Sequence, residues 1–111
     1  MNMKKISEFE KLVLQAIPKG KENAMYQKEI STNLGIRTRD FREVIHSLRL
    51  AGIPVCSSPY CGYWIPETMD EFRELLGVLE AYLISHQETI DRLTESYNKY
   101  DSIKAVMKDV N

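Results

Sequence analysis

The 111-residue chain carries 15 Lys and Arg against 16 Asp and Glu, a formal net charge of −1. Its 43% hydrophobic and 28% charged content excludes a wholly disordered chain. The length allows one compact domain with an appendage but not two full domains. The near-neutral total hides a split. Residues 1–66 hold ten basic and six acidic side chains, net +4, and residues 67–111 hold five and ten, net −5. A basic half is joined to an acidic half.

Met1 to Lys5 has the charge of a signal-peptide start, but Glu8, Glu10 and Lys11 interrupt any apolar stretch after it. No run approaches the roughly 20 apolar residues of a membrane-spanning helix. Cys56 and Cys61 are too few for a disulfide scaffold and fit a reduced cytoplasm, the expected compartment. Internal repeats and low-complexity segments are absent from the sequence.

In chain order, Ser7 and Glu10 form a capping-box pattern that opens a first helix. Phe9, Leu12, Val13, Ala16 and Ile17 are its expected apolar face, and Pro18 and Gly20 end it. The polar loop from Pro18 to Asn23 is expected to be exposed. A second helix is predicted over 26–34 with Ile30 and Leu34 inward, stopped by Gly35. A third runs from about Thr38 to Ala51 on the stripe Phe41, Val44, Ile45, Leu48, and Gly52 ends it. The period then changes from 3.6 to 2. Ile53–Cys56 and Tyr63–Ile65 read as two strands around a turn, with Trp64 anchoring the hairpin on the helices.

Thr68 and Glu71 make a second capping box. It opens a seam of Phe72, Leu76, Leu79, Leu83, His86, Ile90, Leu93, Tyr97 and Tyr100, spaced alternately four and three. That is a heptad repeat, with Leu76, Leu83, Ile90 and Tyr97 at a and the others at d. The expected fold class is mainly α with a small β-hairpin, followed by a long C-terminal helix. The boundary is placed between a domain at 1–66 and a coiled-coil oligomerisation helix at 67–111.

Three elements carry a resemblance: Leu34-Gly35-Ile36, then Leu48-Arg49 with Gly52-Ile53-Pro54, then Gly62-Tyr63. In this order and spacing the chain, over residues 7–66, resembles the winged helix-turn-helix of the biotin-repressor N-terminal type. It is also similar to small winged-helix proteins of phages and mobile elements. The resemblance implies double-stranded DNA as partner, with the third helix in the major groove. By position, Thr38, Arg39, Arg42, Glu43 and His46 face the groove and Arg49 lies nearer the backbone; arginine–guanine is the commonest base contact. Lys19, Lys21 and Lys28 are placed to meet phosphates. Tyr60 at the wing tip packs on a sugar or on a protein partner. Where the family carries capping Ser or Thr, this chain has Tyr26 and Arg37, so Thr38 is expected to cap the third helix.

Other chemistry is not expected. Counting outward from a turn centred at Pro59-Tyr60 sets Cys56 opposite Tyr63 and not Cys61, so two reduced thiols are expected, with a redox-sensing disulfide as the other reading. Zinc lacks a ligand set, because His46 and His86 lie on different elements. No nucleophile–base pair or phosphate loop stands out, so neither catalysis nor a cofactor is expected. His86 reads as a register-setting polar residue in the seam, or as a pH-sensitive one. The seam extends past what a small domain covers, which predicts a homodimer. A second reading is an adaptor or inhibitor with a host protein partner, motivated by Asp40, Glu43 and the uncharged wing tip.

Overall fold

The computed structural model describes residues 5–108, with Ile103 by its backbone only. The chain is mainly α with one small antiparallel hairpin and a long helix late in the sequence. Helix α1 (Glu8–Ala16) starts on the capping box: the Glu10 N–H donates to Ser7 Oγ at 3.1 Å and the Ser7 N–H to Glu10 Oε1 at 2.8 Å. Two N–H groups without helical partners are thereby satisfied. Val13 and Ile17 are buried, but Phe9 and Leu12 are 45% and 58% exposed, so the expected five-residue face is too wide. These apolar residues span a broader arc of α1 than the core covers.

Helix α2 (Gln27–Leu34) ends at Gly35, whose φ of 69° is the left-handed turn that side chains disfavour. The Ile36 N–H returns to the Ser31 carbonyl at 3.0 Å, which closes the helix end. Helix α3 (Thr38–Leu50) buries the predicted stripe of Phe41, Val44, Ile45 and Leu48 against Val13, Ile17, Ile30 and Val55. Leu34 packs only at the margin of that core. Thr38 does not cap α3. Arg37 occupies the cap position without a side-chain cap bond, and its guanidinium grips the Asp40 carboxylate at 3.0 and 3.2 Å. A guanidinium has no acceptor for the first-turn N–H groups, so the acid in the first turn supplies the favourable charge there.

The strands are β1 (Cys56–Ser58) and β2 (Gly62–Trp64). Cys56 pairs with Trp64 rather than Tyr63, because the turn holds three residues and centres on Tyr60. Ile53–Val55, expected as strand, is instead a tight bend in which the Val55 N–H bonds the Ile53 carbonyl at 3.0 Å. Val55 itself drops into the core. The free edge of β2 is tied to the loop after α1. Met25 and Tyr63 exchange backbone bonds of 3.1 and 2.7 Å, and Ile65 bonds Pro18 and Gly20 at 2.8 Å each. The loop from Pro18 to Asn23 is therefore not simply exposed, and Gly20 within it is buried. At Gly62, φ is 96° and a Cβ would strike the Met25 carbonyl, so glycine is required by conformation and by space together.

Helix α4 (Met69–Asn98) opens on Thr68, whose Oγ1 accepts the Glu71 N–H at 3.2 Å. A turn at Lys99 separates it from α5 (Tyr100–Lys108), so Tyr100 is not on the continuous seam helix. Two compact units are present, Met1–Leu76 and Gly77–Asn111. The first extends past residue 66 because Leu75 is buried with Cys56 and Trp64, the predicted anchor. In heptad terms Leu75 is a flanking position, not a seam position. Adding Glu67, Asp70, Glu71, Arg73 and Glu74 brings the first unit's charge from +4 to +1.

Candidate nucleic-acid interface

The exposed surface of α3 divides by helical geometry into a ridge and two flanks. Arg39, His46 and Leu50 lie along the outer ridge, all exposed, with Leu50 61% exposed. Arg42 and Arg49 lie on one flank. Arg42 Nε donates to Gln27 Oε1 of α2 at 3.3 Å, and Arg49 donates to the Val55 carbonyl at 2.9 Å and Ser57 Oγ at 3.1 Å. Asp40, Glu43 and Ser47 lie on the other flank, where with Val44 they meet Phe9 and Glu10 of α1 and its cap residue Ser7 around a groove of about 410 Å³. The two acids are thus displaced from Arg42 rather than interleaved with it.

Each predicted contact residue has a definite place. Thr38 is exposed on the first turn of α3, next to the Gln27 side chain that bonds its carbonyl at 3.3 Å. Arg39 pairs loosely with Glu43 at 3.4 Å, and both side chains are open to solvent. Such exposed pairs are worth little and exchange readily for another partner. Asp40 is held more firmly. The Arg37 hydrogen bond keeps its carboxyl below the usual carboxylate range. The side chains of His46 and Lys28 are exposed and form no hydrogen bond or ion pair among the described residues. Arg49, by contrast, is a strut between α3 and β1, with its guanidinium already used inside the unit.

The lysines do not act as one set. Lys19 is exposed beside the Ile65 bridge. Lys21 is committed elsewhere: its Nζ lies 2.9 Å from Glu74 Oε1 and 5.8 Å from the centre of the Trp64 ring. Its hydrogen bond to Glu74 raises its pKa above the ordinary lysine value. The Lys21 N–H also donates to Glu71 at 2.8 Å. Burial alone would push the Glu71 carboxyl up, but N–H donors from Glu67, Lys21 and Thr68 hold it below its usual range. Lys21 thus clamps the loop to the start of α4.

At the hairpin tip Tyr60 is 86% exposed, with its backbone fixed on both sides. Its N–H donates to Ser58 Oγ at 3.1 Å, and its carbonyl accepts the Tyr26 hydroxyl at 2.6 Å. Tyr26 therefore serves as a brace for the tip from the position where a capping residue was expected. Sequence reasoning missed this brace, the Gln27 bonds to Thr38 and Arg42, and the exposure of Leu50 on the ridge. Leu50 alone left a trace, standing four residues past His46 and eleven past Arg39 in the helical repeat.

The two cysteines differ sharply. Cys56 is buried, and desolvation pushes its thiol up to about 11, whereas Cys61 is half-buried in the turn. A thiolate is the reactive form. Titration with a thiol-reactive chromophore at pH 8 is expected to modify one cysteine, Cys61, rapidly and Cys56 only on unfolding. Rapid reaction of two thiols in the native protein would contradict this.

On α4 the seam residues Leu76, Leu79, Leu83, Ile90, Leu93 and Tyr97 are 37–79% exposed, His86 is exposed and Phe72 half-buried. Tyr100 on α5 is 55% exposed. Among the described residues, no cluster of His, Cys, Asp or Glu is disposed to hold a metal ion, and no helix is long and apolar enough to cross a membrane. Comparison with protein-family models, characterised proteins and solved structures finds no match to this chain.

Proposed function

We propose that the chain is a winged helix-turn-helix protein of the biotin-repressor N-terminal type. It binds double-stranded DNA through α3 and self-associates through α4. The observation that carries the reading is the α3 surface: Arg39, His46 and Arg42 stand exposed together, with Glu43 beside Arg39 and Asp40 turned toward α1 and held by Arg37. In this reading α2, the Gly35 turn and α3 form the helix-turn-helix, and β1 and β2 form the wing.

Arg39 and Arg42 donate to guanine edges in the major groove, Glu43 and His46 read neighbouring bases, and Leu50 meets a thymine methyl. Thr38, Lys28 and Lys19 set register on phosphates. Tyr60, held rigidly at the tip, lies against the sugar-phosphate edge. The reading is of a binding protein without catalysis or cofactor. Its class is a regulator, or a replication or excision accessory of a phage or mobile element, acting in the cytoplasm.

Fluorescence anisotropy with a pool of labelled duplexes at 50 and 200 mM salt tests the reading. The two lysine–phosphate contacts release enough counterions to weaken binding about 12-fold over that range. Absence of binding at 50 mM salt would overturn it. A second reading, a protein adaptor or inhibitor built on the same frame, is favoured by the Arg37–Asp40 and Arg39–Glu43 pairs, which neutralise part of the α3 surface.

A further inference from the structure

We infer that the α4 seam is covered by a second copy of this chain, running parallel and in register, with the His86 side chains of the two copies meeting in one layer. The inference rests on the association role proposed above and specifies what that role left open. Past its first residue, the half-buried Phe72, the seam is open: the buried residue beside it is Leu75, a flanking position, while Leu76 and Leu79 are 48% and 37% exposed. Further along, Leu83, Ile90 and Leu93 are 55–69% exposed.

A repeat of 3.5 residues is best matched by another helix of the same repeat, because against a straight surface it drifts by about 20° per heptad, about 70° from Phe72 to Tyr97. Charge points to a like partner as well. Helix α4 carries seven acids, yet between Leu75 and Ser96 the flanking positions contain a single charge, Glu80. In a parallel pair, Glu80 lies beside Leu75 of the second copy, not beside another acid. The other six acids lie at outer positions of the repeat, so nothing along the seam recruits a basic partner or repels an identical one. Closing such a seam removes on the order of 1,000 Å² of surface, the scale at which specific interfaces begin.

His86 sets the order of the two chains. An antiparallel pair places each imidazole against a leucine, where its ring nitrogens find no partner across the seam. A parallel pair places imidazole on imidazole. One neutral ring then donates its N–H to the bare nitrogen of the other. Every other seam layer between Phe72 and Tyr97 is apolar or aromatic, so this layer fixes the register.

The test uses full-length Leu76→Cys and Leu93→Cys chains, each also carrying Cys61→Ser, mixed under reducing conditions and then oxidised. Parallel order gives 76–76 and 93–93 disulfides. Residues 76 and 93 lie about 25 Å apart along a helix, so a 76–93 disulfide, identified by peptide mass, overturns the parallel order. Sedimentation of the wild-type chain is expected to give twice the monomer mass; a monomer or trimer overturns the second copy as occupant. His86→Leu is expected to tighten the dimer at least tenfold and to let 76–93 disulfides appear. If it does neither, the His86 layer is rejected. Duplex binding measured on the same wild-type sample separates the two readings. A monomer that binds DNA sinks the seam alone, and a dimer that does not bind DNA sinks the DNA reading alone.

Discussion

Replacing Arg39 and Arg42 together by alanine is expected to weaken duplex binding by about 30-fold or more and to flatten the preference among sequences. Each arginine on a guanine edge contributes about 1–3 kcal/mol of discrimination. Two such losses come to about 2–6 kcal/mol, and with about 1.4 kcal/mol per tenfold the smallest expected effect is about 30-fold. The fold has little at stake in either side chain. Arg39 makes one loose surface pair, and Arg42 one 3.3 Å bond to Gln27. Arg49→Ala makes the contrast, because it removes the strut to Val55 and Ser57 and acts through stability instead. Anisotropy on a selected duplex and a thermal melt of the same sample check both. An unchanged melt with unchanged affinity would remove α3 as the reading element.

Phe41→Ala is expected to lower the unfolding midpoint of the first unit by about 20 °C, at a cost of about 3–5 kcal/mol. Phe41 is fully buried at the centre of the core, and its ring meets the Tyr63 ring edge-on, with centroids 5.0 Å apart at 89°. The substitution empties the space between α1, α2 and α3 and also removes the contact holding β2 to α3. Phe41→Leu keeps most of the volume and is expected to cost less than half as much. Circular dichroism melts measure both, and a drop below 5 °C for Phe41→Ala would place the centre of the core elsewhere.

Local signals in the sequence were reliable where one residue decides the outcome. Ser7 with Glu10, the stop at Gly35 and the stripe from Phe41 to Leu48 are each settled by neighbours within one or two turns. Where the deciding partner is distant, the pattern was silent or misleading. Nothing near Lys21 announces Glu74, and nothing near Met25 announces Tyr63. The register of the hairpin turned on one extra residue in its turn, which spacing alone does not reveal. Part of the candidate interface was legible: Arg39, Arg42 and His46 stand exposed on the ridge and flank of α3. Lys21 and Arg49 satisfy the same charge pattern yet serve the fold. The boundary at residue 66 followed charge, whereas the compact unit follows Leu75, a single leucine hidden among many on α4.

The paired backbone bonds between Met25 and Tyr63 also constrain how the first unit assembles. All of α2, α3 and β1 lies between those two residues, so the bridge closes a long loop of chain. Closing such a loop early costs entropy that only the later core contacts return. The hairpin is therefore expected to seat on this edge after the helices have found one another. The orientation of Tyr60 at its tip is inherited from a finished helical core and is not established by the hairpin on its own.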